Sequence, residues 1–308
     1  MRLIHAPTAL KPGTRKVCVA IGFFDGVHLG HQQVIRQTLT DARQHEAIAL
    51  VITFDRHPNT IVAPDKVPPL IYSLPQKLRA IESLGVDTTL VLHFDQAFSQ
   101  QPGEAFIRSL NRDLGQIQSI CVGANFVFGH KRSGNVAVLK KIGAELRLAI
   151  HGLSALALDG KPVSSTRIRQ AISTGDLDAA SQMLGRAYSI AGSVLHGDKL
   201  GRTLGFPTAN IDTAGLVLPS NGVYAAHAKF RKYTCRAVLN IGCRPTLENP
   251  DPPLRVEAHL LDFDGDLYGQ EMEIIPLEKL RDEQKFPSLE ALRDQISRDI
   301  SDARSRFT

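Results

Sequence analysis

His28 and His31 stand three residues apart in IGFFDGVHLGHQQVI, which starts at Ile21 and also holds Gly22, Gly26 and Gly30. An apolar β-branched run precedes this stretch and helical spacing follows it, which puts the histidines at a strand-to-helix turn. Glycines there let backbone approach phosphates, a helix start presents unbonded N–H groups at its positive end, and two imidazoles add donors. Phe24 and Asp25 share the loop and complete a candidate binding set for a nucleoside triphosphate. The spacing is neither GxGxxG nor a Walker A loop, because no Lys-Ser/Thr pair closes it. It is HxGH, and two histidines at i and i+3 could also be a metal pair or surface side chains.

A second cluster, VSSTRIRQAI from Val163, gathers Ser164, Ser165 and Thr166 with Arg167 and Arg169 at an apparent helix start. An N-cap explains one hydroxyl but not the arginines. The rest reads as groups that close over β- and γ-phosphates, Arg169 before Arg167. TFDRHPNT from Thr53 and VGANFVFGHKRSGN from Val122 follow strand-type runs, where open α/β sheets hold ligands. They supply Asp55, His57, Asn125 and Phe128 as candidates for the acceptor. Phe54, Phe126 and Phe128 would serve equally as core.

Further on, GSVLHGDKLGRTLGFPTANI from Gly192 brings Gly197, Gly201 and Gly205 together with Arg202, a backbone cradle for phosphate lying between strands. Pro207 then introduces Thr208 and Asn210, whose hydroxyl and carbonyl are hard oxygen ligands suited to Mg²⁺. Glu257 in VEAHLLDF shares a face with His259 and Leu261 if the strand alternates simply. Such a Glu is either a general base with a raised pKa or a paired edge-strand charge. Tyr224 in NGVYA and Arg244 in NIGCRPT lie near turn glycines that could line a planar ligand.

The elements that must position these groups change character along the chain. Apolar runs at Val17, Ala47, Thr89 and Ser119 alternate with helical patterns, including LPQKLRAIESLG from Leu74. That rhythm predicts βαβ units and a doubly wound, Rossmann-like parallel sheet. After about Arg186 short strands separated by Gly, Pro, Asn and Asp predict an antiparallel β-barrel. From Ser288, Leu289, Leu292, Ile296 and Ile300 mark a closing amphipathic helix. The expected domains are 1–185 and 186–308, in keeping with a length of 308 residues.

With 43% hydrophobic and 22% charged residues the chain is globular in composition. The formal charge of +5 is not gathered into a basic block, and Trp is absent, which argues for anionic small molecules and against nucleic acid. No apolar run nears the ~18 residues of a membrane span and no signal-peptide pattern opens the chain, so a cytoplasmic protein is expected. Cys18, Cys121, Cys235 and Cys243 lack CxxC spacing and read as buried free thiols. No apolar stripe marks an interface, and a monomer or weak homo-oligomer is expected.

Taken in order, GFFDGVHLGHQ, TFDRHP, VSSTRIR, GRTLGFPTANI, NGVY, NIGCRPT and VEAHLLDFDGDLYG resemble the bacterial bifunctional riboflavin kinase/FAD synthetase family over nearly the whole chain. The resemblance implies an N-terminal nucleotidyltransferase domain that joins AMP from ATP to FMN, giving FAD and pyrophosphate. It implies a C-terminal barrel that phosphorylates riboflavin to FMN, with ATP as co-substrate and Mg²⁺ as cofactor in both halves. His28, His31, Ser164, Ser165, Thr166 and Arg169 would then steady the ATP phosphates. Thr208 and Asn210 would hold Mg²⁺ and phosphate, and Glu257 would deprotonate the terminal ribityl hydroxyl. Arg56, Val127, Val163 and Leu200 depart from the family's usual Pro, Arg, Ile and basic residue, and Val127 and Leu200 each remove a possible phosphate contact. Another nucleotidylyltransferase and a flavin-binding regulator are the competing readings; the PTAN segment counts against the first, and His28, His31, Asn210 and Glu257 against the second.

Overall fold

The structure is a computed structural model that describes residues 1–10, 16–197, 200–243 and 254–307. Two compact units divide it: Met1–Leu70 with Leu74–Ser165, and Ile71–Ser73 with Thr166–Thr308.

In the first unit six strands form one sheet: β1 (Arg2–Ile4), β2 (Lys16–Ile21), β3 (Ile48–Phe54), β4 (Thr88–Leu92), β5 (Gln116–Gly123) and β6 (Ala149–Leu153). Their order is β1-β4-β3-β2-β5-β6, and every pairing is parallel. Strand runs such as VCVAI and IALVI are apolar throughout because both faces are covered. The longer helices are α1 (Leu29–His45), α2 (Leu74–Glu82), α3 (Gly103–Leu114) and α4 (Val136–Leu146). Val17, Val19 and Ile21 of β2 join the core formed with α3 and α4, whereas Ala20 joins that formed with α1 and α2. Successive strand side chains point to opposite faces, so one strand feeds both cores.

From β2 the chain steps outward to β3 and β4, then returns to place β5 on the other side of β2. The strand order therefore reverses at β2, and ligands in such sheets bind outside the carboxyl ends at this point. Ile21, the last residue of β2, leads straight into the HxGH loop.

Cys18 and Cys121 lie buried on β2 and β5, and burial pushes the Cys121 thiol up to about 12. Its Sγ–H points 3.5 Å to Asp41, which His151 Nε2 also reaches at 3.3 Å. These two are inert packing thiols. Cys235 and Cys243 are only half-buried, so the expectation of burial holds for two of the four.

In the second unit α5 (Ser165–Thr174) and α6 (Leu177–Leu184) precede β7 (Ile190–Leu195), β8 (Ala209–Ile211), β9 (Gly222–Phe230), β10 (Tyr233–Gly242), β11 (Arg255–Leu260) and β12 (Glu271–Arg281). These strands close an antiparallel barrel in the order β7-β8-β11-β10-β9-β12, and α7 (Leu289–Ser305) follows it. The pair α5–α6 groups with the barrel, although the sequence assigns it to the first domain. Within this unit Ser181 Oγ accepts from the Tyr188 N–H at 3.0 Å, and Arg186 Nε donates to the Tyr72 hydroxyl at 3.2 Å.

Ser288 caps α7, its Oγ accepting from the Ala291 N–H at 3.1 Å. Val223, Ala225 and Val238 pack outward from the barrel in a cluster with Leu261 and Ala303, so α7 covers one barrel wall. Arg281 holds the helix there through a two-pronged bond to Asp299 at 2.8 and 2.7 Å. Asp299 is 3% exposed. Removing one partner of a buried pair strands the other charge, so Asp299→Ala should cost about 3 kcal/mol. Urea unfolding followed by circular dichroism should show that loss, and an unchanged midpoint would refute it.

Candidate active sites

The first site grows from the turn after β2. Phe24 (φ 55°), Gly26 (φ 74°) and Val27 (φ 41°) all take the left-handed conformation within four residues. Positive φ is costly for a β-branched Val and persists only where the surroundings over-determine it. Here Phe24, Asp25 and Val27 are all buried. The turn delivers His28 as the N-cap of α1, its Nδ1 accepting from the His31 N–H at 3.4 Å. The two imidazole rings stack with centroids 3.6 Å apart, and the Phe24 ring meets His31 edge-on at 5.3 Å. Both histidines thus stand at the positive end of a helix where an anion is favoured.

The glycines serve the protein's own rings as well as open space. A Cβ on Gly22 would lie 2.8 Å from the Phe24 ring, and one on Gly30 would lie 3.3 Å from the His28 ring. Ser165 Oγ donates to the Asp25 carbonyl at 3.2 Å, bringing the Ser164–Ser165 end of the hydroxyl cluster to the HxGH loop. Thr166 and Arg169 follow in the first turns of α5.

Asp55 ties two strand ends together. Its carboxylate accepts from the Phe94 N–H at 3.0 Å and from His93 at 2.7 Å, with Arg56 alongside at 3.3 Å. Burial works against ionisation, but these donors outweigh it and hold Asp55 below the ordinary carboxylate range. His57 accepts from the Asn59 N–H at 3.1 Å and meets the Phe23 ring edge-on at 4.9 Å. Asn125 is exposed, while Phe128 stacks on Phe126 at 5.1 Å and packs against the core beside α3. Phe128 is therefore at least in part a packing residue.

One residue escapes a reading by motif. Lys77 on α2 is 3% exposed, and its Nζ donates to the carbonyls of Phe54 at 2.9 Å and Phe23 at 3.1 Å. The signal for it was its place between Leu74 and Ile81 on the apolar stripe of the helix.

The second site lies on the barrel. Glu257 of β11 is in register with Asn210 of β8 on one side and Asn240 of β10 on the other. All three line a cavity of about 750 Å³, together with Thr208, His259 and the apolar side chains Leu289, Leu292 and Ile296 of α7. A second cavity of about 390 Å³ is lined by Arg202, Pro207, Thr208, Asp264, Asp266 and Tyr268. Thr208 lines both cavities. His259 Nδ1–H donates to the Pro207 carbonyl at 2.8 Å, which pins the PTAN segment to β11.

Glycine is required along this segment. A Cβ on Gly197 would collide with the Asn210 amide, and one on Gly201 with the Phe206 carbonyl. Gly205 turns the chain at φ 92°. Thr208 and Asn210 offer oxygen donors beside Glu257, and among the described residues no three His, Cys, Asp or Glu side chains cluster to hold a metal unaided. That donor set fits Mg²⁺ carried mainly by nucleotide phosphates.

Tyr224 is 1% exposed, lines neither cavity and donates its hydroxyl to the Ser220 carbonyl at 2.5 Å, which places it in the core. Leu261 lies just past β11 and packs beneath α7 with Val223 and Val238, which line the larger cavity, so it shares a face with Glu257 and His259 as simple alternation requires. Arg244 lies outside the described residues, as does the side chain of Leu200.

A helix-capping HxGH at the reversal of a parallel sheet, followed by a barrel with hydroxyl, amide and carboxylate groups around paired cavities, defines an enzyme of two phosphate-transfer domains. Residues 10–167 match the FAD synthetase family and residues 184–307 the riboflavin kinase family. The chain is 37% identical to the bifunctional riboflavin kinase/FMN adenylyltransferase of Escherichia coli K12, over 100% of this chain and 98% of that one. It is 37% identical to the protein of that description from Haemophilus influenzae, over 94% of each chain. A crystal structure described as a macrolide-efflux protein from Streptococcus pneumoniae shares its fold, with a TM-score of 0.82 and 28% identity over 98% of both chains. Among the described residues no helix is long and apolar enough to cross a membrane. The chain belongs to the bifunctional riboflavin kinase/FMN adenylyltransferase family, with the adenylyltransferase domain first and the kinase domain second.

Proposed function

We propose that the two activities are divided among the residues as follows. In the kinase half the riboflavin ring system occupies the larger cavity against α7, and ATP occupies the smaller one, with Thr208 where the two meet. Glu257 accepts the proton of the terminal ribityl hydroxyl, the oxygen forms its bond to the γ-phosphorus, and ADP leaves. When bound, Mg²⁺ neutralises the phosphates, and Thr208 and Asn210 would hold it. The observation that supports this reading is the rung Asn210–Glu257–Asn240 at the cavity wall, which gives a carboxylate two fixed amide neighbours.

In the adenylyltransferase half a phosphate oxygen of FMN attacks the α-phosphorus of ATP, and the bond to pyrophosphate breaks. His28, His31 and the first N–H groups of α1 stabilise the charge that develops on the phosphates, as positioned donors do in phosphoryl transfer. Ser164, Ser165, Thr166 and Arg169 complete the triphosphate contacts, and Asn125 and His57 face the flavin phosphate. ATP use agrees with a cytoplasmic enzyme.

A chromatographic time course of the purified protein with riboflavin, ATP and Mg²⁺, beside a reaction started from FMN, tests the whole scheme. FMN should rise first and FAD follow, with FAD alone formed from FMN. Formation of neither product would overturn it.

A further inference from the structure

Burying an ammonium is expensive unless bonds and charges compensate it. Lys77 occupies a position on the apolar stripe of α2 where a Met or Leu would pack without that cost. Its Nζ instead bonds two carbonyls from neighbouring strand ends: Phe54, the last residue of β3, and Phe23, two residues beyond β2. It also stands 4.3 Å from the centroid of the Phe23 ring. The Phe23 carbonyl accepts a second bond from Thr53 Oγ1 at 2.9 Å, so both its lone pairs are engaged at the root of the left-handed turn. The acidic groups that act on Lys77 are Asp25 in that turn and Asp55 after β3, the latter shared with His93 and Arg56. Burial moves its pKa from the ordinary 10.5 down to about 8, with the two carboxylates pulling the other way.

We infer that Lys77 is a positioning residue for adenylyl transfer: by joining the Phe23 and Phe54 carbonyls it fixes the Phe24–Val27 turn, and with it the place where His28 and the start of α1 meet the phosphates. The inference rests on reading the first domain as the adenylyltransferase. Strained turns keep their shape only where neighbours over-determine them, and this cation bonds both strand ends at once, beside the Thr53 hydroxyl.

The experiment uses the full-length protein and its Lys77→Met and Lys77→Arg variants, following FAD formation from FMN and ATP, with riboflavin phosphorylation in the same preparation as the reference. Misplacing catalytic groups by about 1 Å costs on the order of 10²-fold. Lys77→Met should therefore lose about 10²-fold in kcat for FAD formation, keep KM for ATP and FMN within about threefold, and phosphorylate riboflavin normally. In the unaltered protein kcat for FAD formation should fall as the pH rises through about 8, and Lys77→Arg should carry that limb to higher pH. A Lys77→Met kcat within about threefold of the unaltered protein overturns the inference. If Lys77→Met does not fold, Lys77→Gln takes its place and is judged by the same threefold threshold. Unaltered protein that forms no FAD from FMN refutes the adenylyltransferase reading itself, and the role of Lys77 falls with it.

Discussion

Glu257→Gln should slow riboflavin phosphorylation by about 10²-fold or more while leaving FAD formation from FMN untouched. Gln reproduces the shape of Glu and still hydrogen-bonds, and position 257 keeps its backbone partners opposite Asn210 and Asn240. The barrel should therefore fold normally. What disappears is the acceptor for the hydroxyl proton as the oxygen closes on phosphorus. Because positioning and charge neutralisation carry most of phosphoryl transfer, the residual rate should be measurable and KM for riboflavin nearly constant. Stopped-time chromatography of FMN under saturating ATP measures it, and a variant that phosphorylates riboflavin at the normal rate would remove Glu257 from the chemistry.

The second large effect is expected at His28, where two roles can be separated. His28→Ala removes both the cap on α1 and the imidazole at its positive end. The lost cap should cost about 1 kcal/mol of stability, and the lost donor about 10² to 10³ in the rate of FAD formation. His28→Asn restores a good N-cap without restoring the imidazole. Its thermal midpoint should return toward that of the unaltered protein while FAD formation stays low and riboflavin phosphorylation stays normal. If Asn instead restored the rate, His28 would be a structural cap, and the stacked ring of His31 would be left to serve the phosphates.

The alternation of buried strands and amphipathic helices was legible from the sequence because a parallel sheet covered on both faces leaves long apolar runs between helical patterns. HxGH and PTAN were legible because each is local: a turn and the first residues after it. Asn240 was not, since its place beside Glu257 depends on pairing β10 with β11, and no local pattern sets that register. Tyr224 is hard to place from sequence for a related reason. Residues Gly222 to Ala226 are buried on both sides of β9, one face inside the barrel and the other on the side that α7 covers, so alternation of polarity cannot say which way each points. Lys77 was hidden by its type, because a lysine on a helix is ordinarily read as solvated even where its spacing places it among apolar neighbours.

Closure of the barrel also bears on association. Each of its six strands is hydrogen-bonded on both sides, so an extended peptide or a strand from another molecule finds no row of open N–H and C=O groups to continue. The parallel sheet, in contrast, ends in β1, with three residues, and β6, with five. Short border strands are poor templates for growth, so the kinase half by closure and the adenylyltransferase half by brevity are both protected from edge-to-edge aggregation.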